Sequence, residues 1–206
     1  MHSGNKRVFF KDFVFLVDEN VYEPAEDSFL FAENLDVKEN EHVLDIGSGT
    51  GILGVVAAKK AKKVVVVDIN PYAVHCSKEN AILNCVYGKM AFILGSLFTP
   101  FNDRAKFDVI LFNAPYLPTE LDEAVSLLSS AWQGGRTGRD LIDRFIIDVS
   151  CYLNPQGRVL LIQSNLAGLE ETVKQFALHS MKAATLTSSK LPFFETLYLI
   201  EAKFAT

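Results

Sequence analysis

The sequence predicts an α/β domain in which a mostly parallel sheet is covered by helices on both faces. Short runs of β-branched residues alternate with helical patterns from residue 41 onward. The runs are apolar throughout, which is typical of strands buried on both faces. The chain has 206 residues, of which 49% are hydrophobic and 22% charged. This size and composition predict one globular domain over residues 1–206, with an N-terminal extension at residues 1–20.

Each predicted element has a local signature. The strands are rich in β-branched and aromatic residues: His42–Ile46, Val64–Asp68, Ala91–Leu94, Phe107–Phe112, Arg158–Gln163, Ala183–Ser188 and Thr196–Ala202. The helices lie between them: one beginning near Ala25, then Ile52–Lys60, Pro71–Asn84, Gly138–Leu153 and Leu169–His179. Pro71 stands at a first helical position, where a missing N–H is tolerated. The last two strands are joined by a turn containing Pro192, which predicts an antiparallel hairpin at the sheet edge.

Composition excludes several classes of protein. The net charge of −5 indicates no general affinity for nucleic acid. The apolar run Val8–Val17 is interrupted by Lys11 and Asp12 and lacks a small-residue cleavage site, so it does not predict a signal peptide. No run reaches the roughly 20 apolar residues of a membrane span.

Cysteine and histidine usage predicts a cytoplasmic protein without a metal site. The four histidines do not cluster at ligand spacing, and the cysteines form no CxxC pair: Cys76, Cys85 and Cys151. Scattered thiols in odd number are typical of a reducing compartment. Cys76 and Cys151 lie in apolar helical patterns and are predicted to be buried and inert.

A glycine-rich segment, DIGSGTG, begins at Asp45 and follows the first predicted parallel strand. In an open parallel sheet, ligands bind at the carboxyl ends of strands. Gly47, Gly49 and Gly51 let the backbone turn tightly and approach a ligand without side-chain collision. Asp68 ends the next strand, 21 positions after Gly47, where a carboxylate can accept hydrogen bonds from both hydroxyls of a ribose. The pattern predicts a nucleoside site.

The glycine spacing indicates which nucleoside. A dinucleotide fingerprint, GxGxxG, would place its third glycine at position 52, where Ile52 stands. The observed GxGxG, preceded by Asp45, suits S-adenosylmethionine, which has no pyrophosphate. A nicotinamide cofactor and a glycine-rich turn without a ligand are the alternatives. Ile69 is predicted to pack against the adenine ring, and Ser96 in the segment Gly95–Leu97 to bond its exocyclic amine, although a surface turn explains that segment equally.

A second motif, Asn113-Ala114-Pro115-Tyr116, follows the fourth predicted strand directly. The Asn113 side-chain oxygen and the Ala114 carbonyl can each accept one N–H of a planar amino group, and Tyr116 can stack on it. Pro115 restricts Ala114 to an extended conformation and so holds that carbonyl in place. Fixed acceptors of this kind promote methyl transfer to an amide nitrogen by orientation. An ordinary strand-ending turn is the other interpretation.

These motifs together resemble the HemK/PrmC-type protein glutamine methyltransferases, in particular their short archaeal and eukaryotic branch. VYEPAEDS at Val21–Ser28 is similar to that branch's N-terminal signature, and Asn113–Tyr116 to its NPPY motif. WQGGRTGRD at Trp132–Asp140 resembles its W-x-G-G-R-x-G-R segment, and Glu195–Leu197 its final hairpin. The resemblance extends from about Val21 to Phe204.

The resemblance implies a Rossmann-like class I methyltransferase fold with a seven-stranded sheet. It implies methylation of the glutamine in the Gly-Gly-Gln loop of a translation release factor, with Asn113 holding that glutamine. By matching position, the residues in contact with S-adenosylmethionine would be Ser28, Asp45, Gly47, Asp68, Ser96 and Leu97. Two residues depart from the family pattern: Ala114 replaces its first proline, and Ser96 replaces its usual aspartate.

The resemblance also implies a partner, a small zinc-binding activator protein that covers an apolar sheet edge. Val64–Val67 is apolar enough to be that edge, and equally apolar for a central strand. Ahead of the helix predicted at Gly138–Leu153, Arg136 and Arg139 are interpreted as parts of a solvated loop, with substrate contact as the alternative. Thr137 is a candidate N-cap of that helix.

Two other functions fit parts of the pattern. An Asn-Pro-Pro-Tyr-type cage also fits the exocyclic amine of adenine in DNA or RNA, although the acidic charge and the lack of an added basic domain count against this substrate. A non-catalytic protein with a methyltransferase fold, kept for partner binding, is the second alternative.

Overall fold

The computed structural model of the protein describes residues 6–116 and 138–205. Arg136, Thr137 and most of the segment beginning at Trp132 lie outside the described residues. The chain divides into two compact units, residues 1–100 and 101–206. The single domain expected over residues 1–206 stays a prediction.

The first unit contains an N-terminal hairpin and a three-stranded parallel layer with helices. Its strands are β1 (Lys6–Phe10), β2 (Phe13–Val17), β3 (His42–Ile46), β4 (Lys63–Asp68) and β5 (Met90–Leu94). Its helices are α1 (Glu26–Glu33), α2 (Ile52–Ala58) and α3 (Pro71–Leu83). Strand β4 pairs in parallel with β3 on one side and with β5 on the other, and Ile46 is level with Val67. The carboxyl ends of the three strands therefore lie at one edge.

Sequence reasoning missed the hairpin formed by β1 and β2. The polar pair Lys11–Asp12, which interrupts the apolar run, forms the turn between these antiparallel strands, and Lys11 has a φ of 50°. Two apolar stretches on either side of a two-residue polar turn are a hairpin signal. Phe10 and Phe15 are buried, so one face of the hairpin is packed against the rest of its unit.

The described residues of the second unit form four strands and two helices. The strands are β6 (Phe107–Asn113), β7 (Leu153–Ser164), β8 (Met181–Lys190) and β9 (Thr196–Phe204), and the helices are α4 (Asp140–Val149) and α5 (Leu169–Leu178). Strand β7 runs parallel to β6, and β9 pairs antiparallel with both β7 and β8. The predicted C-terminal hairpin is confirmed. The rings of Phe112 and Phe145 pack with centroids 4.6 Å apart, which anchors α4 against β6.

The described strands confirm the predicted fold class. Seven of them follow the order β5-β4-β3-β6-β7-β9-β8 in a mostly parallel sheet with antiparallel strands at its C-terminal end. Strand β4 has a neighbour on each side, so Val64–Val67 is a central strand and the edge interpretation of it was wrong. The edges are formed by β5 and β8. Across the described ranges, none of the helices has the length and apolar content needed to span a membrane.

Arg139 differs from its predicted place in a solvated loop. Its side chain is only 11% exposed. The guanidinium donates to the carbonyls of Ala167 (2.5 Å) and Gly168 (3.0 Å), to the Thr172 hydroxyl (3.0 Å) and to the Asp143 carboxylate (2.6 Å). These bonds tie the start of α4 to the start of α5, so Arg139 is a structural residue.

One cysteine also differs from its prediction. Cys76 is buried as expected, and burial raises the pKa of its thiol to about 11. Cys151 is exposed, because α4 ends at Val149 and a 3₁₀ turn follows at Ser150–Tyr152. The helical pattern that placed Cys151 on a buried face does not continue that far.

Candidate active site

The glycine loop connects β3 to α2, and its glycines serve different purposes. Gly47, Gly49 and Gly51 have φ angles of 67°, 53° and 81°, which side chains disfavour. A Cβ on Gly51 would lie 2.7 Å from the Ser77 Cβ, so this glycine lets the loop pack against α3. A Cβ on Gly49 would meet nothing within 4 Å. Gly49 is thus needed for its backbone angle, and the space beside it is open to a ligand.

Asp68 is locked against the glycine loop at the end of β4. Its Oδ2 accepts a hydrogen bond from the Gly49 N–H and its Oδ1 one from the Asn70 N–H, both at 2.9 Å. Burial raises the pKa of this carboxyl, and the backbone hydrogen bonds oppose that shift. An ionised carboxylate has about four acceptor positions, so these backbone bonds leave acceptor capacity for a ribose hydroxyl.

Asp45 is buried beneath the glycine loop and bonds to the start of α2, the helix that follows the loop. It is 1% exposed, and its Oδ2 accepts a hydrogen bond of 2.9 Å from the Gly54 N–H in the first turn of α2. A Cβ on Gly54 would lie 2.7 Å from a Val66 methyl carbon, so only glycine fits there. Sequence reasoning missed Gly54, and its signal was a glycine inside an otherwise good helix. The predicted contact of Asp45 with the cofactor stays a prediction.

Burial raises the pKa of Asp45 to about 7, the Gly54 hydrogen bond opposes the shift, and the charge of Asp68 adds to it. The folded protein therefore keeps a proton on Asp45 that the unfolded chain releases near its ordinary pKa of 3.8. The contribution of this proton to the unfolding free energy is fully present below the ordinary pKa of an aspartate. It is lost as the pH rises through the pKa that Asp45 has in the folded protein.

The Asp45→Asn variant should lack this pH dependence. An asparagine keeps an acceptor for the Gly54 N–H but has no proton to lose. Between about pH 5 and about pH 8, the wild type should lose about 3 kcal/mol of unfolding free energy relative to the variant. Urea denaturation of both proteins at the two pH values measures this. Asp68 is present in both proteins, so its own titration cancels to first order. If the difference in unfolding free energy between the two proteins is the same at both pH values, Asp45 titrates normally.

Ser28 lies at the start of α1 and is 3% exposed. Its N–H donates to the Asp27 Oδ1 at 2.6 Å and its hydroxyl at 3.2 Å, and the Tyr22 hydroxyl donates to the same oxygen at 3.0 Å. The VYEPAEDS segment thus folds around the Asp27 carboxylate. The predicted contact of Ser28 with the cofactor stays a prediction.

The predicted adenine-binding residues lie at the carboxyl ends of β4 and β5. Ile69 follows Asp68 and is 63% exposed, which is unusual for an isoleucine in a structured turn. The Gly95 N–H donates to the Asp68 carbonyl at 2.9 Å, which fixes the turn that carries Ser96 beside this strand end. Leu97 is 7% exposed and has a φ of 48°. An exposed apolar side chain beside a polar turn can hold a flat ring.

Gly95 is a further residue that sequence reasoning did not single out for its packing. A Cβ at this position would overlap the ring of Pro100. The carbonyl of Ser96 accepts the N–H of Thr99 at 3.0 Å and the Thr99 hydroxyl at 2.8 Å. The turn is thus held by its own contacts before any ligand binds. Its signal in the sequence was the glycine directly after a strand and the proline five residues later.

In the second unit, the residues predicted to hold the substrate nitrogen, Asn113–Tyr116, begin at the carboxyl end of β6 and are called the nitrogen cage below. Asn113 is the last residue of that strand and is level with Ile162 of β7. Ala114 is 3% exposed, Pro115 is buried and Tyr116 is half-buried. Burial of Ala114 and Pro115 restrains the backbone directly after Asn113.

The two sets of residues fall in different units. The structure brings together, at the carboxyl ends of β3, β4 and β5, six of the predicted cofactor residues: Gly47, Gly49, Asp68, Ile69, Ser96 and Leu97. Ser28 lies in α1, and Asp45 is buried within β3. Asn113, Ala114, Pro115 and Tyr116 are consecutive at the end of β6.

Comparison with known proteins defines the class. The model of the methyltransferase small domain family matches residues 21–187. The chain belongs to this family of methyltransferases.

Two relatives and one solved structure share most of the chain. A Methanocaldococcus jannaschii protein, provisionally named a protein N5-glutamine methyltransferase, is 48% identical over 181 residues, covering 87% of this chain and 90% of that protein. Methyltransferase HEMK2 of Homo sapiens is 32% identical over 180 residues, covering 82% and 83%. The E. cuniculi Mtq2–Trm112 complex, responsible for methylation of the eRF1 translation termination factor, aligns with a TM-score of 0.67 and 25% identity over 90% of this chain and 99% of that one.

Proposed function

We propose that this protein is an S-adenosylmethionine-dependent methyltransferase of a glutamine side-chain amide in the Gly-Gly-Gln loop of a translation release factor. The observation that carries this proposal is the 48% identity, over 90% of its length, to the M. jannaschii protein with the N5-glutamine name. The likeness to HEMK2 supports methyl transfer, and the likeness to the Mtq2–Trm112 complex supports a translation termination factor as the substrate. A release factor substrate also favours the cytoplasm as the site of action.

The residues at the ends of β3, β4 and β5 fit the proposed methyl donor. Asp68 has unused acceptor capacity for a ribose, Gly49 leaves open space, and Ile69 offers an exposed apolar surface for adenine. The half-buried Asp68 carboxyl, in its ionised form, also attracts a ligand with a sulfonium charge. A nicotinamide cofactor is not supported, because the chain belongs to a methyltransferase family.

The chain's own residues would act on the substrate amide by orientation. The bound donor supplies an electrophilic methyl group. Asn113 would accept one N–H of the glutamine amide through its side-chain oxygen, and the Ala114 carbonyl would accept the other. Tyr116 would stack on the amide plane. Because an amide nitrogen has a delocalised lone pair, fixing its geometry toward the donor is the main contribution that the protein can make.

The alternative substrate, the exocyclic amine of adenine in a nucleic acid, has less support. The chain has a net charge of −5, whereas binding to a phosphate backbone depends on clustered Lys and Arg. The alternative of a non-catalytic protein is contradicted by the enzymes to which the chain is similar over nearly its full length.

We further propose that a small zinc-binding activator pairs with β5. An edge strand offers unpaired N–H and C=O groups to another chain unless charges or bulges protect it. Strand β5 has the sequence MAFIL without a charge, and its last residue, Leu94, is 58% exposed. Strand β8, the other edge, carries Lys182 and Lys190 and a register shift between Thr185 and Thr187. Of the two edge strands of the described sheet, β5 therefore has the composition of an open edge.

Two exposed alanines test this edge. Ala91→Lys places a charge on β5, and Ala184→Lys is the matched change on β8, since both alanines are exposed. We expect Ala91→Lys to weaken binding of the activator at least about tenfold in calorimetry, and Ala184→Lys to leave it unchanged. The affinity for S-adenosylmethionine should be normal in both variants. Equal binding by the two variants would contradict the assignment of β5.

The function itself is tested by label transfer. The purified protein, alone and with the activator, receives methyl-labelled S-adenosylmethionine and a release factor with either an intact Gly-Gly-Gln loop or a Gln→Ala change. We expect label only in the intact loop. Label in both release factors would show that another residue is methylated. With the donor bound and the activator present, the absence of label would overturn the release factor as substrate, and adenine-containing nucleic acid would be tested next.

A further inference from the structure

Asn80 in α3 and Asn84, the residue that caps the C-terminus of α3, bond to β2 as a neighbouring strand would. The Asn80 Oδ1 accepts the Leu16 N–H at 2.7 Å and its Nδ2 donates to the Leu16 carbonyl at 2.9 Å. The Asn84 Oδ1 accepts the Val14 N–H at 3.1 Å and its Nδ2 donates to the Val14 carbonyl at 2.8 Å. The asparagines are one helical turn apart and the strand residues two positions apart, so both pairs meet on one edge.

Asn80 makes a bond to the glycine loop that Asn84 does not. Its Nδ2 also donates to the carbonyl of Thr50, at 2.9 Å, within the glycine loop. The corresponding group of Asn84 donates within α3, to the Asn80 carbonyl at 2.8 Å. Asn80 is 0% exposed and Thr50 is 2% exposed, so water cannot replace the bond to the loop.

The hairpin decides how the Asn80 amide is oriented. Because the Leu16 N–H donates to Oδ1, the NH₂ group must face the carbonyls of Leu16 and Thr50. The loop is held against α3 at a second point, where Gly51 packs on Ser77. The N-terminal hairpin, the last turn of α3 and the glycine loop therefore share one hydrogen-bond network.

We infer that Asn80 is a positioning residue for S-adenosylmethionine: it holds the Thr50 end of the glycine loop, and the β1–β2 hairpin holds Asn80 in the orientation this needs. The hairpin thereby contributes to cofactor affinity without touching the cofactor. The inference rests on the methyl donor of the proposed function and is independent of which nitrogen receives the methyl group.

The two asparagines supply a matched pair of variants. Asn80→Ala and Asn84→Ala each remove two bonds to β2, and only Asn80→Ala removes the bond to Thr50. Both should lower the melting temperature. Asn80→Ala should raise the Kd for S-adenosylmethionine about tenfold, the scale of one buried hydrogen bond, while Asn84→Ala should change it less than about twofold. In turnover assays, Asn80→Ala should raise the KM for the donor and leave kcat at saturating donor nearly unchanged.

Two results would overturn the inference. One is an unchanged affinity of Asn80→Ala for S-adenosylmethionine. The other is an equal loss of that affinity in both variants, which would mean that general destabilisation is responsible. If Asn80→Ala does not fold, Asn80→Asp replaces it, because a carboxyl keeps the acceptor for the Leu16 N–H and removes the amide donors to Leu16 and Thr50. The same two outcomes then decide. Calorimetry of donor binding needs no methyl acceptor, so a wrong substrate assignment would not affect this test.

Discussion

Replacing Asn113 with alanine should slow methyl transfer by on the order of 100-fold or more while leaving the affinity for S-adenosylmethionine nearly intact. Asn113 ends β6, and the buried residues Ala114 and Pro115 fix the backbone that follows it. The variant removes the proposed side-chain acceptor for one N–H of the glutamine amide. Single-turnover methylation at saturating donor, together with calorimetry of donor binding, measures the two quantities separately.

A matched control for this variant is Asn154→Ala in the same unit. Asn154 donates to the Asp108 carboxylate at 2.6 Å near the amino end of β6, away from the carboxyl end where Asn113 lies. It should turn over nearly as fast as the wild type. A fully active Asn113→Ala protein would end the nitrogen-cage hypothesis. Slow turnover in both variants would indicate that loss of any polar contact disturbs the unit, and the effect of Asn113→Ala would then not be specific to the substrate amide.

Replacing Asp68 with alanine should weaken S-adenosylmethionine binding by about 1.5–3 kcal/mol, which is roughly 10-fold to 150-fold in Kd. The change removes the proposed acceptors for the ribose. It also removes the acceptors for the Gly49 and Asn70 N–H groups, which lie 2.9 Å away. The effect therefore combines a lost ligand contact with a loosened glycine loop, and calorimetry measures their sum.

Two controls separate these contributions. Asp68→Asn keeps one acceptor oxygen for a backbone N–H and should bind the donor with an affinity between those of the wild type and the alanine variant. Asp103→Ala removes an exposed carboxylate elsewhere and makes the same change in net charge, so it should bind normally. Unchanged affinity in Asp68→Ala would remove Asp68 from the cofactor site.

Most of the parallel sheet could be predicted because its signals are local. The strand β3 has the predicted bounds, and β4 and β6 differ from prediction by one residue each. A continuous run of β-branched residues indicates a strand that is buried on both faces, and this holds whichever strands pair with it. The three glycines of the loop have positive φ angles, and that requirement is a property of single residues, so it is visible in sequence.

Other features could not be predicted because they depend on contacts between distant residues. Whether Val64–Val67 is an edge or a central strand depends on its partners, since both places suit valine. Burial of Arg139 depends on carbonyls about thirty positions away, in the Ala167–Gly168 segment. The role of Asn80 depends on Leu16 and Thr50, and nothing in its local helical pattern distinguishes it from Asn84.

The sequence by itself determined the fold class, the glycine loop with Asp68, the Asn113–Tyr116 motif and the resemblance that led to glutamine methylation. These depend on residue type and on spacing along the chain, and both are visible in the amino-acid sequence. Only the tertiary structure decided that the N-terminal segment is a hairpin clamped by α3, that β5 is the open apolar edge, and that Asp45 is buried under the loop with a raised pKa. Burial and hydrogen-bond partners arise when distant segments meet, and spacing alone does not contain them.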